Sequence, residues 1–252
     1  MAKQIGPIRL KGTIAGISFY TSVSDGDLAR QKGGPAKGRI AVDPAYAALR
    51  ANNKDFATAC FASQTLRRSF GKVVSDAVDI RRHPRLTQVF LRVLKADPSK
   101  PKGLRTVRED AVHLLEGFDF NSRYALRQLF QAPYTATADP EQRVLELTVP
   151  PFVSSEALLV PVDTTHFRIF SIGTAVDFAG ATFISSHSES DLMPWDTTLT
   201  TALHHRHLLH EGSNKSLFLA LGVCFYRFSD GAFYALEGAT VPLSIVKAIG
   251  VV

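Results

Sequence analysis

Phe225-Tyr226-Arg227-Phe228-Ser229-Asp230-Gly231-Ala232-Phe233-Tyr234 reads as two strands closed by a two-residue turn. Asp-Gly tolerates the positive φ that a tight hairpin demands, so the spacing sets Phe228 across from Phe233. Similar short apolar or alternating runs, separated by turn residues, fill the chain from Pro133 onward: 144–149, 166–172, 175–184, 199–209, 217–228, 232–236 and 245–251. About seven strands in roughly 120 residues predict an antiparallel β-sandwich of immunoglobulin or fibronectin-III type.

Upstream of Pro133 the apolar period lengthens from two to three or four. Asp43-Pro44 opens a helix, with Asp as cap acceptor and Pro at the first helical position, where its missing N–H costs nothing. Leu49, Phe56, Cys60, Ser63 and Phe70, with Leu66 alongside, recur at helical steps and predict one buried stripe ended by Gly71. A second helix is expected after Pro84, through Leu86, Val89, Phe90, Val93 and Leu94, stopping at Asp97-Pro98. The capping-box pair Thr106 and Glu109 predicts a third reaching Gly117, and Asn121 a short fourth ending near Phe130. Near the N-terminus, Thr13, Ile14, Ile17, Phe19 and Tyr20 lead to Ser24-Asp25-Gly26 and a return through Leu28. This is a hairpin whose first strand is interrupted at Gly12 and Gly16 by a bulge or close contact. The fold class is therefore α+β. An N-terminal β-hairpin and flexible basic linker (1–42) precede a small helical bundle (43–132) and a C-terminal antiparallel β-sandwich (133–252).

Charge follows the same division. Residues 1–130 carry 23 Lys and Arg against 11 Asp and Glu, whereas residues 131–252 carry 6 against 12. Opposite halves of this kind suit either a basic surface for nucleic acid or a head that meets a tail in an assembly. Cys60 and Cys224, one in each half among apolar neighbours, read as small buried hydrophobes rather than a disulfide or a metal pair. No apolar run approaches the ~18 residues of a membrane span or forms a signal segment, so a cytoplasmic location and no membrane partner are expected.

Catalytic patterns are missing. His204-His205-Arg206-His207-Leu208-Leu209-His210 concentrates imidazoles, but on a strand the period of two sends His205 and His207 to one side and His204, Arg206 and His210 to the other. With no cysteine to complete a zinc pattern, these are expected to be surface histidines; a metal site and a pH-sensitive or partner-contact role are the alternatives. Ser185-Ser186-His187-Ser188-Glu189-Ser190 holds the letters of a triad in what reads as a polar loop. Gly71-Lys72 and residues 33–38 lack phosphate-loop spacing. No catalytic residue, cofactor or metal ligand is assigned, and the chain reads as a non-enzyme.

Surfaces remain. Lys32, Lys37, Arg39, Arg67, Arg68, Lys72, Arg81, Arg82 and Arg85 are candidate phosphate-binding residues, extended by Arg92, Lys95, Lys100 and Lys102. Because Phe56, Phe61, Phe70 and Phe90 fall largely on expected core stripes, little is left for base stacking, which favours sequence-independent association. Ile14, Ile17, Phe19, Tyr20 and Trp195 are candidate assembly residues. Trp195, beside Pro194 in a turn, either covers the sandwich end or anchors an interface.

The strings LKGTIAGISFY (10–20), LARQKGG (28–34), TTHF (164–167), PWDT (194–197) and LFLALGV (217–223), in this order, resemble an uncharacterised family of bacterial proteins of similar length. The resemblance covers nearly the whole chain and implies one shared architecture in bacteria, with no activity, cofactor or catalytic residue attached to it. The histidine cluster is not among the shared strings. The expectation is a structural or scaffolding protein that self-associates through oppositely charged halves and its hairpin, as a homo-oligomer or filament. The alternative is a sequence-independent nucleic-acid-associated protein using the basic helical half.

Overall fold

In this computed structural model the described residues are 2–31, 33–35, 37–76, 79, 81–209, 216–236 and 241–251. They divide into two units at Arg50 and Ala51. The first unit contains four antiparallel strands, β1 (Ala2–Lys3), β2 (Gly12–Ile14), β3 (Ile17–Ser22) and β4 (Gly26–Gln31), in the order β1-β4-β3-β2. The expected single first strand is two strands. Ala15 (φ 48°) and Gly16 (φ 79°) make a two-residue turn that pairs Ile14 with Ile17, so Gly16 marks a reversal and not a bulge. The Gln4 side chain ties the sheet to the following loop, accepting from Leu10 N at 2.9 Å and donating to the Leu28 carbonyl at 3.2 Å. Part of the expected flexible linker is helical, as α1 (Lys37–Val42). Beyond it Asp43 accepts from Ala45 N at 2.9 Å, and Pro44 begins a 3₁₀ turn, as the Asp-Pro pair predicts.

The second unit takes in α2 (Ala47–Ser69) from Ala51 onward, with α3 (Lys72–Asp76), α4 (Arg82–Lys95), α5 (Leu126–Leu129), β5 (Thr135–Asp139), β6 (Val144–Val149), α6 (Ser154–Ala157), β7 (His166–Asp177), β8 (Thr182–Glu189), β9 (Met193–Pro194), β10 (Leu203–Leu208), β11 (Ser216–Ser229), β12 (Ala232–Ala235) and β13 (Leu243–Gly250). Three strands form an antiparallel sheet in the order β10-β6-β5. The larger antiparallel sheet runs β12-β11-β7-β8, with β13 also on β11 and β9 on β7. β11 carries β13 along residues 216–222 and β12 along 226–229, so the sheet changes neighbour along one strand and curls. At the Asp230-Gly231 turn both residues have positive φ (52° and 80°) and Phe228 pairs with Phe233, as the sequence predicts.

The larger sheet is a middle layer. Along β11, Phe218 and Ala220 join a core cluster with Ala59, Leu66, Leu86 and Phe90 of the helices, while Leu217, Leu219, Leu221 and Val223 join a second cluster with Leu145, Leu147 and Val149 of β6. Alternate residues thus face two covered sides, which is why this strand is apolar without a break. Among the described residues, the buried apolar side chains of α2 and α4 share one core cluster with the sheet and do not form a core of their own. Gly222 makes room for this packing: a Cβ there would lie 2.2 Å from Phe170 Cζ.

Several local expectations change. α4 buries Leu86, Val89, Phe90, Val93 and Leu94, as its periodicity predicts. On α2 the predicted stripe is buried in its second half, at Ser63, Leu66 and Phe70 just beyond the helix end, but in its first half Asp55, Ala59 and Ala62 are buried while Leu49 is exposed and Phe56 and Phe61 are each 51% exposed. Small Ala59 and Ala62 let the helix approach closely, and Asp55 is held by Gly103 N (2.8 Å) and Arg105 (3.3 Å). The third expected helix is a 3₁₀ helix, Glu109–Leu115, without a side-chain cap; Thr106 instead accepts from Lys100. The fourth shrinks to α5, because Asn121 accepts from Arg123 N in a turn of its own. The run 175–184 is broken where the Asp177 carboxylate accepts from Ala179 N, and the expected polar loop at 185–190 is mostly strand β8.

Candidate functional site

Strand β10 splits its histidines as the period of two requires. His204 and Arg206 are exposed beside Glu146, with Arg206 Nε 3.2 Å from its Oε1. His205 and His207 are buried, which corrects the expectation of surface histidines. Their partner is a residue that no sequence pattern singles out, Ser171 of β7, a hydroxyl in an otherwise apolar run. Ser171 Oγ lies 2.6 Å from His205 Nδ1 and 2.8 Å from His207 Nε2, and His207 Nδ1 is 3.1 Å from Ser186 Oγ. A single hydroxyl can donate to one imidazole and accept from the other. Burial pushes the His207 pKa down to about 4, with His205 and His187 adding repulsion; burial also lowers His205. His205 and His207 are thus held inside the fold, with Ser186 half-buried at the edge of the network. His210 lies outside the described residues, and among the described residues no group of three or more His, Cys, Asp or Glu is placed to hold a metal.

The N-terminal sheet presents a different surface. Residues opposite each other share a face, so the register puts Ile14, Ile17 and Phe19 together with Ala29 and Ala2. Tyr20 projects from the other face, where Arg30 lies 5.4 Å over its ring. Ile14 and Ile17 are exposed, and a hollow of ≈ 750 Å³ is lined by Ala2, Ile17 and Ala29. Among the described residues of this unit only Leu28 is buried.

Trp195, in the second unit, is 36% exposed, and its backbone N–H donates to the Thr165 carbonyl at 2.9 Å. Thr165 Oγ1 accepts from Phe228 N, so Trp195 adjoins the β11–β12 hairpin. There His166, Phe228 and Phe233 stack edge to face or tilted, with centroids 4.7 Å (His166 to Phe233) and 4.8 Å (Phe228 to Phe233) apart. Phe228, Phe233 and Tyr234 are all about half exposed. The turn signal locates this hairpin in the sequence, but its exposed aromatic tip depends on what fails to cover it.

The basic candidates separate by use. Arg39 pairs with Asp43 at 2.9 Å; Lys32 and the side chain of Lys37 lie outside the described residues. Arg85 is committed to structure, donating to Asp79 Oδ2 and the Asp119 carbonyl, each at 2.7 Å, with its guanidinium 5.0 Å over Phe118. Asp79 is driven down to about 2, because bonds from Ser122, Arg81 N and Arg85 outweigh the upward push of burial. Arg67, Arg82 and His83 crowd one another: burial first and then Arg82 lower Arg67, and burial with both arginines lowers His83. Arg68 and Lys72 stand at the end of α2 and the start of α3. No helix among the described residues is long and apolar enough to cross a membrane. No protein-family model matches this chain, and neither a curated protein nor a solved structure does so.

Proposed function

We propose that this chain is a non-enzymatic structural or scaffolding protein that self-associates, with its N-terminal sheet docking on another copy. The observation that carries this reading is the exposed apolar pair Ile14 and Ile17, beside half-buried Phe19, on a sheet that buries one side chain among its described residues. A few strands gain independent stability only when one face is packed. Charge supports a second copy as the occupant, since the basic first 130 residues complement the acidic remainder. In the same proposal the two C-terminal sheets are the faces of an immunoglobulin- or fibronectin-III-like sandwich, a reading favoured by their shared core. Membership of the bacterial family suggested by the strings at 10–20 and 217–223 also belongs to it. Sedimentation velocity and electron micrographs across micromolar concentrations test the association. Oligomers or filaments are expected, and Ile17→Lys should weaken them at least about tenfold, since a buried Ile is worth ~1.5–3 kcal/mol. A strict monomer, or assembly indifferent to Ile14→Asp and Ile17→Lys, overturns it.

A further inference from the structure

The crevice between α2 and α4 is lined for a different kind of partner. Phe56 and Cys60 of α2 face Pro84, Gln88 and Leu91 of α4 across a groove of ≈ 680 Å³, with Arg81 and His83 on its rim. Phe56 and Leu91 also line an adjoining hollow that ends at Lys95 and Lys102. The two form one track, cationic at both ends and aromatic in the middle. Along the helix, Arg81 to Lys95 spans about 20 Å. Among the described residues, Asp79 is held by Ser122 and Arg85, and Asp55, which lines the second hollow, is buried and held by Gly103 N and Arg105. Among the described residues, Arg81, Lys95 and Lys102 have no carboxylate partner. Behind the rim, Arg67 Nε is buried without a hydrogen-bond partner. A surface that gathers cations around an open aromatic ring is complementary to a polyanion that carries its own rings.

We propose that this track binds single-stranded nucleic acid without sequence preference. A base stacks on Phe56, and Arg81, His83, Lys95 and Lys102 follow the phosphates. A run of acidic residues such as poly-glutamate matches the charge but offers no ring to cover Phe56, and a duplex keeps its bases stacked away from the groove floor.

The test uses the full chain and a fluorescein-labelled oligothymidylate, read by anisotropy at about 50 and about 200 mM salt. Binding should weaken steeply over that interval. Phe56→Ala and Arg81→Glu, both exposed positions, should each raise Kd roughly tenfold. Cys60 lies in the groove and Cys224 does not, so bound oligonucleotide should slow alkylation of Cys60 several-fold while Cys224 reacts at its free rate. The idea fails if no binding is seen at the lower salt, or if Kd and Cys60 alkylation are both indifferent to these changes. It also fails if poly-glutamate displaces the oligonucleotide charge for charge with Phe56→Ala making no difference, which assigns the track to an acidic protein partner.

Discussion

At the scale of single residues, the Ser171, His205 and His207 network ties stability to pH. The folded chain holds His207 neutral, its pKa down at about 4 against the ordinary histidine value of 6.5. A depressed histidine contributes stability that is complete above the unfolded pKa and is lost as pH falls toward the folded one. The window therefore runs from about 6.5 to about 4, and the loss from His207 reaches about 3 kcal/mol at its lower end. Urea midpoints measured across this window should fall with acid. His207→Gln, which keeps a hydrogen-bonding side chain but cannot titrate, should flatten the slope; an unchanged slope rules out this source. Asp79 does not confuse the result, because its depressed carboxyl begins to lose its contribution only at lower pH. Glycine contacts make a second prediction. A methyl at Gly222 would sit 2.2 Å from the Phe170 ring, so Gly222→Ala should cost about 1–3 kcal/mol in thermal unfolding. Gly231→Ala meets no atom within 4 Å and pays only for its φ of +80°, about 1 kcal/mol.

At the scale of elements, what is legible in the sequence is what local chemistry alone decides. Asp230-Gly231, Asp43-Pro44, Gly71 and the strong stripe of α4 carry their own instructions, and each sits where its residues say. The first half of α2 is not legible, because there the large Leu49 and Phe56 are exposed and the buried residues are Asp55, Ala59 and Ala62, whereas Ser63, Leu66 and Phe70 are buried as the stripe predicts. Close approach to the sheet selects Ala59 and Ala62, and Asp55 is buried because Arg105 and Gly103 N, about fifty residues away, receive it. Nothing local to residues 49–70 announces either fact. The same holds for the histidines: period two predicts the correct split, but only Ser171 and the covering strands make one side dry. The exposure of Phe56, on which the proposed track depends, is hidden for the same reason. The Asp55 pairing predicts a measurable linkage. Asp55→Ala leaves Arg105 with its charge largely buried and strips Gly103 N of its acceptor, so it should cost about 3 kcal/mol in urea unfolding. Asp55→Ala combined with Arg105→Met should recover part of that loss; no recovery would mean the ion pair is not the cause.

At the scale of the whole molecule, the proposed self-association has two exposed apolar surfaces to use: Ile14 and Ile17 of the first unit and the Phe228, Phe233 and Trp195 tip of the second. They are different patches, and the halves that carry them have opposite net charge. An isologous dimer would pair each patch with itself and bring like charges together. A head-to-tail contact pairs unlike charges and generates rings or filaments according to whether the rotation closes. The distinction has a consequence that no single variant reveals. If the N-terminal sheet of one copy docks at the aromatic tip of the next, Ile17→Lys disables only the donor end and Phe233→Asp only the acceptor end. Each variant alone should sediment as a monomer, yet an equimolar mixture should form dimers and stop there, because one intact donor meets one intact acceptor and the outer ends are dead. Dilute salt should speed this mixed association, and raising salt toward ~1 M, where the Debye length shrinks to about 3 Å, should slow it more than it weakens the apolar contact. Self-pairing of either patch predicts instead that the mixture never associates through that patch beyond the behaviour of the separate variants. Sedimentation of the mixture against its components thus distinguishes the two geometries in one experiment.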